Sequence, residues 1–106
     1  MAQLLFAPLP TKAAAEKKDY SFDWSAELDK TDDTIAAGDA ASTWAVTPAG
    51  VTVNTTDKPK THDDHTTTVW LDPESTPAAD PYTVTNTITT TQGRIHVATA
   101  SLKVVA

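Results

Sequence analysis

The chain has no cysteine, only three glycines and one methionine in 106 residues, and no apolar run approaches the roughly 18 residues of a membrane-spanning helix. Without cysteine there is no disulfide, thiolate nucleophile or thiolate ligand, a usage that fits a reducing compartment or an assembly made in one. Gly38, Gly50 and Gly93 are too few for a phosphate-cradling loop, and no Gly-x-Ser-x-Gly elbow is present. No segment of the body keeps a helical apolar period over three turns. Basic residues are also scarce, eight Lys and Arg against fourteen Asp and Glu for a net charge of −6. The excess is uneven: in residues 1–18 three lysines against Glu16 give +2, which leaves −8 on residues 19–106. An acidic body repels phosphate, so nucleic acid is not an expected partner, and no membrane contact is expected. A positive leader and a negative body would attract each other between copies, although salt screens that attraction over about 8 Å. No catalytic residue, metal or cofactor is expected, and the protein reads as no enzyme.

What the chain does have is β-strand alternation. Tyr82, Val84 and Ile88 point one way and Thr83, Thr85, Thr87 and Thr89 the other, the period of two of a half-buried strand. Thr91-Gln92-Gly93 interrupts the run with a residue able to take positive φ, and alternation resumes through Ala98, Ala100, Leu102 and Val104, which predicts a hairpin. Upstream, Tyr20, Phe22 and Trp24 share a face within Asp19–Ser25, Trp44 and Val46 within Ser42–Thr47, and Val69 and Leu71 within Thr67–Leu71. Short strands are also expected at Thr34–Ala36 and Val51–Val53. Strand spacing of this kind predicts an all-β fold, an antiparallel β-sandwich of about seven strands with these aromatic and aliphatic side chains as its core. Pro-rich residues 72–81 read as a connection.

Residues 1–18 read as an extended N-terminal arm and residues 19–106 as the body. Pro8 and Pro10 hold the arm extended, and Lys12–Lys18 is long enough for at most two helical turns. Leu4, Leu5, Phe6 and Leu9 make it more apolar than a free tail should be, so Leu4, Leu5, Phe6, Pro8, Leu9 and Pro10 are candidate partner contacts. The apolar run lacks the basic flank and the length of a secretory segment, and a soluble protein without an address is expected. In the polar loop of residues 54–66, His62, Asp63, Asp64 and His65 form a second candidate contact. Two imidazoles flanking two carboxylates also resemble a zinc or nickel site, but a loop tip with no further placed ligand favours a solvated turn. The Asp29 stretch fails the calcium-loop pattern, with Thr34 at its sixth position and Ala40 at its twelfth. Exposed Trp44 or Trp70 beside threonine hydroxyls would suit a sugar, but a threonine ladder reads first as the wet face of a sheet.

Several stretches taken in order carry a resemblance: Asp19-Tyr20-Ser21-Phe22-Asp23-Trp24-Ser25, Asp33-Thr34-Ile35, Ser42-Thr43-Trp44-Ala45-Val46, Gly50-Val51-Thr52-Val53, Thr68-Val69-Trp70-Leu71, and Tyr82 to Thr90 with Gly93-Arg94. This series resembles the small fibre-tail adaptor proteins of tailed bacteriophages, immunoglobulin-like domains carried in the virion. The resemblance covers about residues 19–105 and departs from the pattern in the longer loop at 54–66 and the Ala-Lys-rich arm. It implies an immunoglobulin-like sandwich and a structural protein of the tail or neck, made in the host cytoplasm. Its partners would be other virion proteins, of the tail, neck, portal region or fibres, with copies associating in a ring. A glycan-binding or adhesive module and a capsid decoration protein are the alternative readings.

Overall fold

A computed structural model describes residues 4–74 and 81–105, and of Leu4 and Leu5 only the backbone. The regular structure is mostly strand: β1 (Leu4–Leu5), β2 (Lys12–Ala13), β3 (Lys18–Asp23), β4 (Ser42–Thr47), β5 (Thr61–His62), β6 (Thr66–Leu71), β7 (Tyr82–Thr89), β8 (Ile95–Leu102) and β9 (Val104–Val105). Four strands form one sheet in the order β1-β8-β7-β4, three form a second in the order β3-β6-β5, and β2 pairs with β9. The β7–β8 hairpin pairs antiparallel from Tyr82↔Leu102 to Thr89↔Ile95, and Gly93 in its turn has φ 88°. There a side chain on the residue would strain the backbone whatever the free space.

The pairing is not antiparallel throughout. β1 runs parallel to β8 and β2 parallel to β9, because the N-terminal segment travels alongside the late strands in their own direction. Between them Phe6 and Leu9 donate their amides to the carbonyls of Thr99 and Ser101, so residues 4–14 form a strand broken at its prolines. The described part of the N-terminal arm therefore lies extended against the body of its own chain. Residues after Ala13 make a turn, not a helix, with the Ala13 amide donating to the Glu16 carboxylate.

One short helix, α1 (Ser25–Asp29), occupies the stretch after β3 and buries Leu28. Five residues are too few to display a 3.6-residue period, which is why the pattern does not show it. Two of the expected strands shrink to single bridges, Ile35↔Thr90 and Val53↔Leu71. The expected Pro-rich connection falls largely at residues 75–80, outside the described residues.

The inward faces of both larger sheets meet in one core. Tyr20 and Phe22 from β3, Val69 and Leu71 from β6, Tyr82, Val84 and Ile88 from β7, and Ala98, Ala100 and Leu102 from β8 are buried there with Trp24, Leu28 and Val104. Trp44 and Val46 are only half-buried at its margin. Aromatic rings run through it in a chain: Phe6 lies 4.7 Å from Phe22 and 5.2 Å from Trp24, and Phe22 meets Trp44 edge-on at 4.9 Å.

A polar cluster sits inside this apolar layer. Asn86 occupies the inward register of β7 between Val84 and Ile88 and is fully buried. Its Oδ1 accepts from Trp24 Nε1 at 2.9 Å and from the Thr67 hydroxyl at 2.7 Å, and its Nδ2 donates to Ser42 Oγ and the Thr43 carbonyl. The amide thereby joins β3's flank, β6 and β4 through β7 and has every major bonding site in use.

Candidate functional site

A β-rich chain meets other molecules through its strand edges and the loops that flank them. At one edge lies the N-terminal segment. Phe6 and Leu9 turn half-buried toward the core while Pro8 and Pro10 are exposed. The Pro10 carbonyl accepts the Tyr20 phenol at 2.8 Å. Burial, with the nearby Glu16 and Asp19 charges, pushes that phenol up to about 12. Lys12 is wholly buried, its Nζ 3.0 Å from Glu74 Oε1 and 3.2 Å from the carbonyls of Ala13 and Ala14, while Glu74 Oε2 has no hydrogen-bond partner among the described residues.

The His62–His65 stretch is a tight turn between β5 and β6. The Asp63 carboxylate accepts the amides of His65 and Thr66, and these hold it below the usual carboxylate range. His62 Nε2 is 2.9 Å from the Ala36 carbonyl, the His65 carbonyl accepts the Trp24 amide, and the Asp64 carbonyl accepts the amide of Ile35. Asp63 and Asp64 are exposed and the two histidines half-buried. Among the described residues no group of three or more His, Cys, Asp or Glu is arranged to hold a metal ion.

Between β4 and the chain of residues 53–60 lies a cavity of about 310 Å³ lined by Thr43, Trp44, Val53, Asn54, Pro59 and Lys60, among others. Asn54 builds its far wall. Its side chain donates to Asp57 and Asp72 and accepts the amides of Thr56 and Lys58, so a buried asparagine orders the loop around itself. Hydrogen bonds from Lys17 and Asn54 bring the Asp57 carboxyl down to about 2. At one end Lys60 closes on Asp39 at 2.9 Å, and beyond this pair the trough continues between residues 35–39 and 60–64. Trp70 lies on the outer face of β6 with the Lys58 ammonium 5.2 Å above its ring.

Near the β7–β8 turn a further carboxylate was hidden from sequence inspection. Burial alone would raise the Asp33 carboxyl, but hydrogen bonds from Thr90, Thr91, the Thr34 amide and Arg94 overcome it and hold the group far below the usual range. The Arg94 contact is 3.0 Å. A depressed folded-state value stabilises above the unfolded value near 3.8 and is lost as pH falls toward the folded one. Asp33→Asn is therefore expected to lower the urea midpoint at pH 7 and to flatten its decline below about pH 4, read from unfolding curves between pH 7 and pH 2. A variant whose acid limb is as steep as the parent's would contradict this.

Comparison with known families decides the rest, for residues 12–103 match the model of the podophage GP4 fiber-tail adaptor protein gp77. The chain belongs to the podophage fiber-tail adaptor family. No curated protein is similar enough to match it. This fiber-tail adaptor is a structural, non-enzymatic protein of the phage virion tail. The match begins at Lys12, so in the adaptor β1, Phe6 and Leu9 precede the matched part while the buried lysine opens it. The residues that sequence inspection of the adaptor missed are polar and inward: Lys12, Asp33, Asn54 and Asn86. Asn86 alone left a trace, as the gap in the apolar series Tyr82, Val84, Ile88.

Proposed function

We propose that this adaptor joins fibres, or a neighbouring ring of subunits, to the tail or neck of a podophage particle, in several copies arranged as a ring. The observation that carries this reading is the family match across residues 12–103. Residues 1–18 serve as the arm and residues 19–106 as an immunoglobulin-like sandwich, whose edges, together with the arm's outer face and the His62–His65 turn, grip the neighbours. Support comes from two sheets sharing one core, from exposed Pro8 and Pro10 on the arm, and from carboxylates exposed at Asp63 and Asp64. A glycan-binding reading has less support, because the Trp70 face is taken by Lys58 and Trp44 meets Phe22 edge-on. Particles made without the protein are expected to carry tails but no fibres, with the fibres restored when it is supplied in trans. Mass spectrometry of purified particles should find it in the same multiple of the ring in each. Full fibre occupancy in its absence would overturn the proposal.

A further inference from the structure

Edge strands invite pairing with other chains, and proteins guard them with prolines, charges or brevity. Of the four edges of the two larger sheets, three are guarded in those ways. The β1 edge is two residues long and followed by Pro8 and Pro10, β3 carries Lys18, Asp19 and Asp23, and β5 is two residues long behind Lys58-Pro59-Lys60. The fourth is different. β4 is an outermost strand of its sheet, six residues and roughly 20 Å long, and although Pro48 follows it the strand itself, Ser-Thr-Trp-Ala-Val-Thr, holds no charge or proline. Among the described residues no backbone hydrogen bond joins its outer side to another segment. Beside it lies the 310 Å³ cavity, with half-buried Trp44 and Val53 on its two walls.

We infer that β4 is the edge onto which another virion protein adds an extended, basic segment, its inward side chains entering the cavity against Trp44 and Val53. This rests on the adaptor reading and specifies the edge and the chemistry of the partner. Main-chain bonds to β4 would supply affinity and the cavity selectivity for alternate side chains. The charge follows from the surroundings: where the trough continues past Ser42, exposed Asp39, Asp63 and Asp64 stand against Lys60 alone, on a molecule of net charge −6. A second copy is the poorer occupant, because its basic leader is already paired along its own β8 and β9 with Lys12 buried, and the rest of its surface is as acidic as this one.

The test uses assembled particles carrying a photo-crosslinking residue in place of exposed Ala45, with Ser21 on the β3 edge as comparison. The expected product joins position 45 to a different virion protein through a Lys- or Arg-containing peptide. A product with a second copy of this chain, a product only from position 21, or none from position 45 would overturn the inference. Ala45→Lys is expected to reduce particle incorporation by at least about ten-fold and Ala45→Glu to leave it unchanged. Equal behaviour of the two would refute the basic partner. Urea midpoints of the variants check folding, and exposed Thr47 takes the same pair of substitutions should Ala45 prove sensitive. Failure at β4 with the wild-type chain still present in particles leaves the adaptor reading standing, whereas its absence from particles removes both.

Discussion

Asn86→Leu is expected to lower folding stability by about 3–5 kcal/mol, moving the urea midpoint down by roughly 2 M. The substitution is nearly volume-conserving, so little of the loss comes from a cavity. It comes from stranding the Trp24 indole N–H, which has only a longer 3.3 Å contact to the Thr67 oxygen to fall back on, and from freeing the Thr67 hydroxyl and the Thr43 carbonyl. Each buried polar group left unpaired costs about 1–3 kcal/mol. Thr67→Val removes one donor to Asn86 and should cost about 1–2 kcal/mol alone. Combined with Asn86→Leu it should cost less than the sum, since the leucine no longer asks for that hydroxyl. Additive losses in urea unfolding would mean that the cluster is not one bonded unit.

Glu74→Gln is the second large effect, with an expected loss of about 3–5 kcal/mol. Lys12 is fully buried and Glu74 is its only carboxylate contact among the described residues, so the substitution leaves an ammonium among carbonyls without that counter-charge. Lys12→Met should destabilise as well, by exposing the Glu74 carboxylate to an apolar neighbour. The double variant Lys12→Met/Glu74→Gln is the decisive one, because removing both charges from a buried pair is often neutral or stabilising. A recovery of most of the single-variant loss is expected. If the double variant is as unstable as Glu74→Gln, the cost lies in packing of the N-terminal segment and not in the unpaired charge.

These two sites mark the border of what the sequence makes legible. The strands Ser42–Thr47, Thr66–Leu71 and Tyr82–Thr89 announce themselves because one face is largely apolar and the other rich in threonine, and Ile95–Leu102 through the alternation of Ala98, Ala100 and Leu102. The turn at Gly93 is legible for a similar reason, as a single local conformational demand. Asn86, by contrast, looks like a lapse in the pattern, since its partners Trp24 and Thr67 lie 62 and 19 residues away and nothing local points to them. Lys12 and Glu74, likewise separated by 62 positions, read separately as surface charges. The N-terminal segment was legible as apolar and extended but not in its destination, because parallel pairing with β8 and β9 leaves no signature in the segment itself. For the candidate surface, the His62–His65 turn was visible as polar, whereas the bareness of β4 has meaning only once the other edges are seen to be defended.

The parallel pairing of Leu4 with Ala98 and of Lys12 with Val104 also bears on synthesis. Residues 4–13 leave the ribosome about 90 residues ahead of their partners in β8 and β9, so Phe6 and Leu9 stay exposed to water until those strands have emerged. Such distant closure is slow and leaves greasy nascent chain open to chaperones in the meantime. Assembly of this protein is therefore timed by the emergence of its late strands.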